Sequence, residues 1–230
     1  MMSSNAVFAV RAWSTALAMA LVLTVALMPA TVVAEDTPDP EDARTLVQDT
    51  TSELLNVLRE QQESGGIDAD AIREKVNDLV KPHLDFVTMT RLAVGRHWRS
   101  ADDDQKRALV EEFRQMIVRT YSAALEQVDD YDAQQVEFLP LEASDHDDRV
   151  EVRSRVVQRD GSSIPVNYGL RYTGGAWKLY DVIVDGISLV TTYRSGFSTL
   201  VNREGIDGLI ADLREKNDRG EAEVPDIDAG

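Results

Sequence analysis

From Ala43 to Leu125 apolar residues recur every three or four positions, and from Val136 to Val184 at every second one, so helices precede a sheet. Ala43, Leu46, Val47, Thr50, Leu54, Val57 and Leu58 form the stripe of a first helix, which Gly65-Gly66 ends. Ile72, Val76, Leu79 and Val80 mark a second, capped by Asp68 or Asp70 and stopped by Pro82. Asp85 is placed to cap a third, with Phe86, Met89, Leu92 and Ala93 on its apolar side and Gly95 near its end. Ser100 opens the longest helix, with Asp103 at capping-box spacing and aspartates at 102–104 suited to the positive end of the helix dipole. Its stripe is Leu109, Phe113, Met116, Ile117, Thr120 and Ala124, flanked by Tyr121 and Leu125.

After Asp129 the alternation of strands takes over. Val136 and Phe138 start one strand, and Val150, Val152 and Val156 mark the next, with a turn at Asp145–Asp148 between them. A third carries Ile164, Val166, Tyr168, Leu170 and Tyr172 on one face, and Gly174-Gly175 turns it into the fourth. Pro165 lacks a ladder donor, which predicts an edge strand or a bulge at that point. In the fourth strand Trp177, Leu179 and Ile183 fall on one face and Tyr180, Val182 and Val184 on the other, so both faces need apolar cover. Ile206, Leu209, Ile210 and Leu213 predict a closing helix. Helices grouped ahead of an antiparallel meander define an α+β fold. One domain is expected over residues 43–216, between a flexible acidic leader at 35–42 and a disordered acidic tail at 217–230.

Ahead of the leader, residues 1–34 read as a cleaved signal peptide: Arg11 supplies the positive region, Ala16 to Met28 the apolar core, and Val32 and Ala34 a small-residue cleavage site. The apolar run is shorter than the ~18 residues expected of a spanning helix. With no cysteine the chain is neither a disulfide scaffold nor a lipoprotein anchored through cysteine. All 41 acidic residues lie after position 34, so loss of Arg11 with the signal takes the formal charge from −17 to −18. Nucleic acid is therefore not an expected partner.

Catalysis needs a tuned pair or triad of groups, and little here builds one. His83 follows Pro82, His97 sits among Arg96, Trp98 and Arg99, and His146 lies in the acidic run DHDD, which reads as a solvated turn; no HExxH spacing supports zinc. Asp181 and Asp185, four apart on a strand, would lie roughly 13 Å from each other, too far for a typical glycosidase pair. No GxxxxGK loop is present.

The segment from Phe86 to Leu125 contains a Met-Thr-Arg piece, Gly95 with Arg96-His97-Trp98, Gln105, Phe113 and Tyr121. Further along come Tyr180-Asp181, Asp185-Gly186-Ile187-Ser188, Tyr193-Arg194, Phe197 and Gly205-Ile206-Asp207-Gly208-Leu209. In this order and spacing the pieces resemble the MlaC family of periplasmic phospholipid-binding proteins, also called toluene-tolerance auxiliary proteins. The resemblance implies an NTF2-like fold, a curved antiparallel sheet wrapped by helices around a deep apolar pocket. It implies a periplasmic carrier and no enzyme, shuttling glycerophospholipids between outer and inner membranes and maintaining outer-membrane lipid asymmetry. Phospholipid would be cargo, with no cofactor. The implied partners are the MCE-domain subunit (MlaD) of an inner-membrane ABC transporter and an outer-membrane MlaA-porin complex, with only transient membrane contact.

Given such a pocket, periodicity selects its lining: Met89, Leu92, Phe113, Met116, Ile117 and Tyr121 from the helices, and Tyr168, Leu170, Tyr180, Val182, Val184, Ile187 and Leu189 from the sheet side. Two other readings stay open: an enzyme on the same cone, which needs a polar, tunable pair in the pocket, and a ligand-free scaffold with a filled core. The acidity departs from what suits a carrier meeting anionic membranes. Arg91, Arg96, Arg99 and Arg107 are either a local basic patch or dispersed surface charges.

Overall fold

A computed structural model describes residues 38–64, 74, 75, 77–126, 135–142, 146–158 and 160–221, without the side chains of 123–126. The signal segment, most of the leader, Gly65-Gly66, Asp68, Asp70, Ile72, Val76, Asp129, Asp145 and the tail after Glu221 lie outside the described residues.

Helix α1 spans Pro40–Glu63 and begins inside the stretch expected to be a flexible leader. The physical reason is a complete start signal: the Asp39 carboxylate accepts from the Glu41 amide at 2.9 Å, Pro40 occupies the first turn, and Glu41 and Asp42 face the positive dipole end. Glu74, Lys75 and Asn77–Leu79 are helical, followed by a 3-10 turn at Lys81–His83. Leu84 then pairs beside Leu179, with the Asp85 amide donating to the Leu179 carbonyl at 2.8 Å. This short pairing starts α2 (Phe86–Val94) at the edge of the sheet. Asp85 caps it as expected, accepting from the Thr88 amide at 2.9 Å and the Thr88 hydroxyl at 2.6 Å.

A 3-10 segment, Gly95–Arg99, leads to α3 (Asp103–Glu126). Its cap is not the Ser100–Asp103 pair but Asp102 with Gln105. The Gln105 amide donates to Asp102 at 2.8 Å and the Asp102 amide to the Gln105 side chain at 3.1 Å, because Gln reaches back farther than Asp does. The last helix, α4 (Tyr193–Asp218), is broken at Gly205, whose φ of 75° lies in the left-handed region that glycine adopts without a Cβ penalty. It extends past Asn217, expected to be tail. Asn217 is buried, and its amide donates to the Glu112 carboxylate at 2.9 Å and the Glu112 carbonyl at 3.0 Å. Arg214 donates to the same carboxylate at 2.9 Å. A buried charge is held only where hydrogen bonds replace water, and this cluster locks α3 to α4.

The sheet is an antiparallel meander in the order β1 (Gln135–Phe138), β2 (Arg149–Val157), β3 (Ser163–Thr173), β4 (Ala176–Val184) and β5 (Ile187–Ser188). The fifth strand is an addition to the four expected. Gly174 and Gly175 have φ of 61° and 79°, the pair of positive values that a two-residue hairpin between twisted strands requires. Pro165 sits neither on an edge strand nor at a bulge. It opposes Arg155 of β2, while its carbonyl accepts from Asp185 beyond the last rung of the β3–β4 ladder, where no donor is needed.

The irregularity lies elsewhere, between Gly169 and Leu170. Leu170 opposes Leu179 and Tyr168 opposes Val182, so two steps on β3 match three on β4 and Tyr180 is the extra residue. Leu179 and Val182 therefore share a face, although alternation puts them on opposite ones. Trp177, Leu179, Val182 and Val184 look one way, and Ile183 the other.

Candidate functional site

Two apolar regions result. In the first, α2, α3 and α4 converge on Leu109, Phe113, Met116, Leu209 and Leu213, all 0% exposed. Phe113 meets Tyr193 and Phe197 edge-on, with ring centroids 5.4 and 5.6 Å apart. The second lies where α1 crosses the sheet. Ala43 and Val47 pack on Val150, Val152, Leu170 and Trp177, and the Trp177 indole donates to the Asp39 carbonyl at 2.9 Å, pinning the start of the helix.

Farther along α1 the cover is incomplete, and a cavity of about 250 Å³ opens. Leu46, Thr50, Leu54 and Leu58 of α1 form one wall, and Tyr168, Leu170, Leu179 and Val182 the other. Val80, His83 and Leu84 close an end. Polar atoms are few. Burial pushes the Tyr168 phenol above its ordinary range, although the Ser154 and Thr51 side chains hydrogen-bond to it. A second cleft, of about 380 Å³, lies along α1 where Arg59 and Asn56 approach Gln135 and Phe138; it shares Thr51 and Leu55 with the cavity. Helix α1 is thus undercut on both flanks.

Of the residues selected from periodicity, Tyr168, Leu170 and Val182 come together in the cavity wall. Met89, Phe113, Met116 and Ile117 belong to the filled helical core, with Leu92, Tyr121 and Tyr180 packed against its margin. Val184 lies on the cavity face of the sheet, opposite Val166 and Ile187, but beyond the lining. The Leu189 carbonyl accepts from the Tyr121 hydroxyl at 3.1 Å. Burial drives that phenol up to about 12, against a hydrogen bond with Tyr193. These placements correct a wall built from Tyr180, Val182 and Val184 together. The bulge sends the Tyr180 ring across Gly169 on the opposite face, beside His146, Arg149 and Asp181 in a separate cleft.

The α1 lining was missed because its stripe reads equally as packing surface. The signal available was width: Leu46, Thr50, Thr51, Leu54, Leu55 and Leu58 span more of the helix than one sheet contact needs. Asp181 is buried and held by hydrogen bonds of its own turn. Its carboxylate accepts from the Ser188 hydroxyl at 2.7 Å and the Val190 amide at 3.4 Å, organising the turn into α4, and burial raises its pKa against those bonds. Among the described residues no three or more His, Asp or Glu gather as a metal site, and no helix is long and apolar enough to cross a membrane.

A single helix laid across an antiparallel sheet over an apolar, open-mouthed cavity is the build of a binding protein for an apolar ligand. The chain belongs to the MlaC protein family, whose sequence profile matches residues 48–215. It is 29% identical over 188 residues to the toluene tolerance protein ttg2D of Pseudomonas putida, covering 81% of this chain and 83% of that one. It is 22% identical over 197 residues to the intermembrane phospholipid transport system binding protein MlaC of Haemophilus influenzae, covering 84% and 88%. The fold is similar to the solved phospholipid-binding protein of Ralstonia solanacearum in complex with a phospholipid. The TM-score is 0.66 at 29% identity, over 78% of this chain and 98% of that one.

Proposed function

We propose that this protein is a phospholipid carrier, holding acyl chain between α1 and the β3–β4 face and moving lipid between two membranes as the soluble component of an Mla-type system. The observation that carries the reading is the cavity. The open-mouthed cavity of about 250 Å³ leaves apolar wall in contact with water, and an acyl chain seated there removes that contact. The chain gains in turn about 0.8 kcal/mol for each CH₂ taken out of water. Ligand pockets usually hold roughly 300–1,000 Å³, so seating two long chains requires α1 to lift from the sheet, and its undercut flanks leave room for that. Family membership and the lipid-bound relative support the same cargo. The wider setting is part of the proposal: export by a cleaved signal into the periplasm, no catalytic step, and exchange with an MCE-domain subunit (MlaD) and an MlaA-porin complex.

Native mass spectrometry of protein purified from cells without detergent tests it. Masses corresponding to bound phospholipid are expected, and Leu170→Trp, which fills the cavity wall, should lower occupancy at least ~10-fold while the protein still melts cooperatively. Protein that carries no lipid and takes none from vesicles would sink the reading.

A further inference from the structure

Ten described arginines each meet a carboxylate within salt-bridge distance. Arg91, Arg96 and Arg99 are exposed and meet none among the described residues. In a chain with so large an excess of carboxylates, three guanidiniums within nine positions that lack a carboxylate partner call for an explanation; Arg96 donates only to the His97 ring, at 3.4 Å. None of the adjacent acids is within salt-bridge distance of them: Asp102 accepts from the Gln105 amide, Asp103 pairs with Lys106, and Asp104 with Arg107. Arg107, expected in the patch, is therefore engaged elsewhere.

The local geometry gathers them. Val87 and Arg91 are four apart on α2 and share a face. Beyond Gly95, whose φ of 62° turns the chain out of α2, Arg96 and Arg99 are three apart in the 3-10 segment, so they eclipse one another. A fourth guanidinium joins at the junction, where the Arg194 side chain lies 3.4 Å from the place a Cβ on Gly95 would occupy and its Nε donates to the Leu92 carbonyl at 2.9 Å. Val87, 55% exposed, is the one exposed large apolar side chain among the described residues.

We infer that this strip, with Val87 and Arg91 at one end and Arg96 and Arg99 at the other, docks on the surface of an anionic phospholipid membrane. Guanidinium is shaped for two-point contact with phosphate, and a single apolar side chain in a basic strip suits the headgroup boundary. Elsewhere the protein's charge opposes approach. At physiological salt that repulsion fades beyond roughly 8 Å, so the strip acts at contact and sets the orientation. The choice of a lipid surface over an acidic protein rests on the phospholipid cargo proposed above.

Co-sedimentation at about 50 mM salt with vesicles of phosphatidylcholine alone, or with about a third phosphatidylglycerol, tests the inference. The protein should bind the anionic vesicles selectively and release as salt rises. At about fivefold per arginine, Arg91→Ser/Arg96→Ser/Arg99→Ser should weaken binding on the order of 100-fold, and the corresponding triple Lys variant should keep most of it. Undiminished binding by the Ser variant, or equal binding to both vesicle types, overturns the proposal. So does retention on polyglutamate beads without binding to anionic vesicles, which marks an acidic protein as the occupant. Native mass spectrometry of the same samples reads the cargo separately, so an empty cavity and an inert strip are distinguishable failures.

Discussion

The helical core and the layer beneath α1 draw on the same residue types, yet one is filled and the other hollow. Around Phe113 three helices converge, and every side has a protein neighbour. Beneath α1 one helix must cover a sheet alone. It is seated at its start by Ala43, Val47 and the Trp177–Asp39 hydrogen bond, and farther on Leu46, Leu54 and Leu55 remain half-buried while lining the cavity. Apolar composition thus does not decide between core and pocket. The number of elements that meet there does.

That contrast is open to direct attack. The largest effect is expected in the filled region: Phe113→Ala should cost about 3–5 kcal/mol in urea unfolding and leave a new void among three helices. Leu54→Ala should cost only about 1 kcal/mol, because its side chain is half-buried beside a cavity that already exists. Equal losses at the two positions would erase the distinction between core and pocket. The smallest effect concerns Asp181, whose carboxyl burial holds above the ordinary range. The native state then keeps a proton that the unfolded chain has lost. The contribution is full below the unfolded pKa and fades as pH rises through the folded one. Melting temperatures through this acidic window should decline less steeply with rising pH in Asp181→Asn than in the parent. An unchanged slope would place the titration elsewhere.

Local signals carried much of the fold. Asp85 before Phe86, Gly174-Gly175 and the apolar stripe from Leu109 to Thr120 each specify a local event, and each is found where the residues put it. The α+β order follows from the change of period alone. Asp39-Pro40 opened α1 in a stretch whose acidity and prolines also describe a loose leader, and there local capping won over composition. The site was less legible. Whether Leu54 meets a neighbour or a void depends on how far α1 stands off the sheet, and no period-3.6 pattern encodes that distance. Tyr180 was unreadable for another reason: in a run apolar on both faces, an inserted residue leaves the alternation looking intact.

The bulge at Tyr180 makes the cavity wall a matter of counting. Substitutions among apolar side chains at Leu179 or Val182 alter the shape of the wall, and the strand tolerates that drift. Pairing Tyr180 into the ladder at unchanged length would instead slip the register by one residue and turn Val182 and Val184 to the outer face, with Ile183 in their place. The facing of the wall is therefore held by the irregularity opposite Gly169, where the Tyr180 ring lies, more than by the identity of the apolar side chains beyond it.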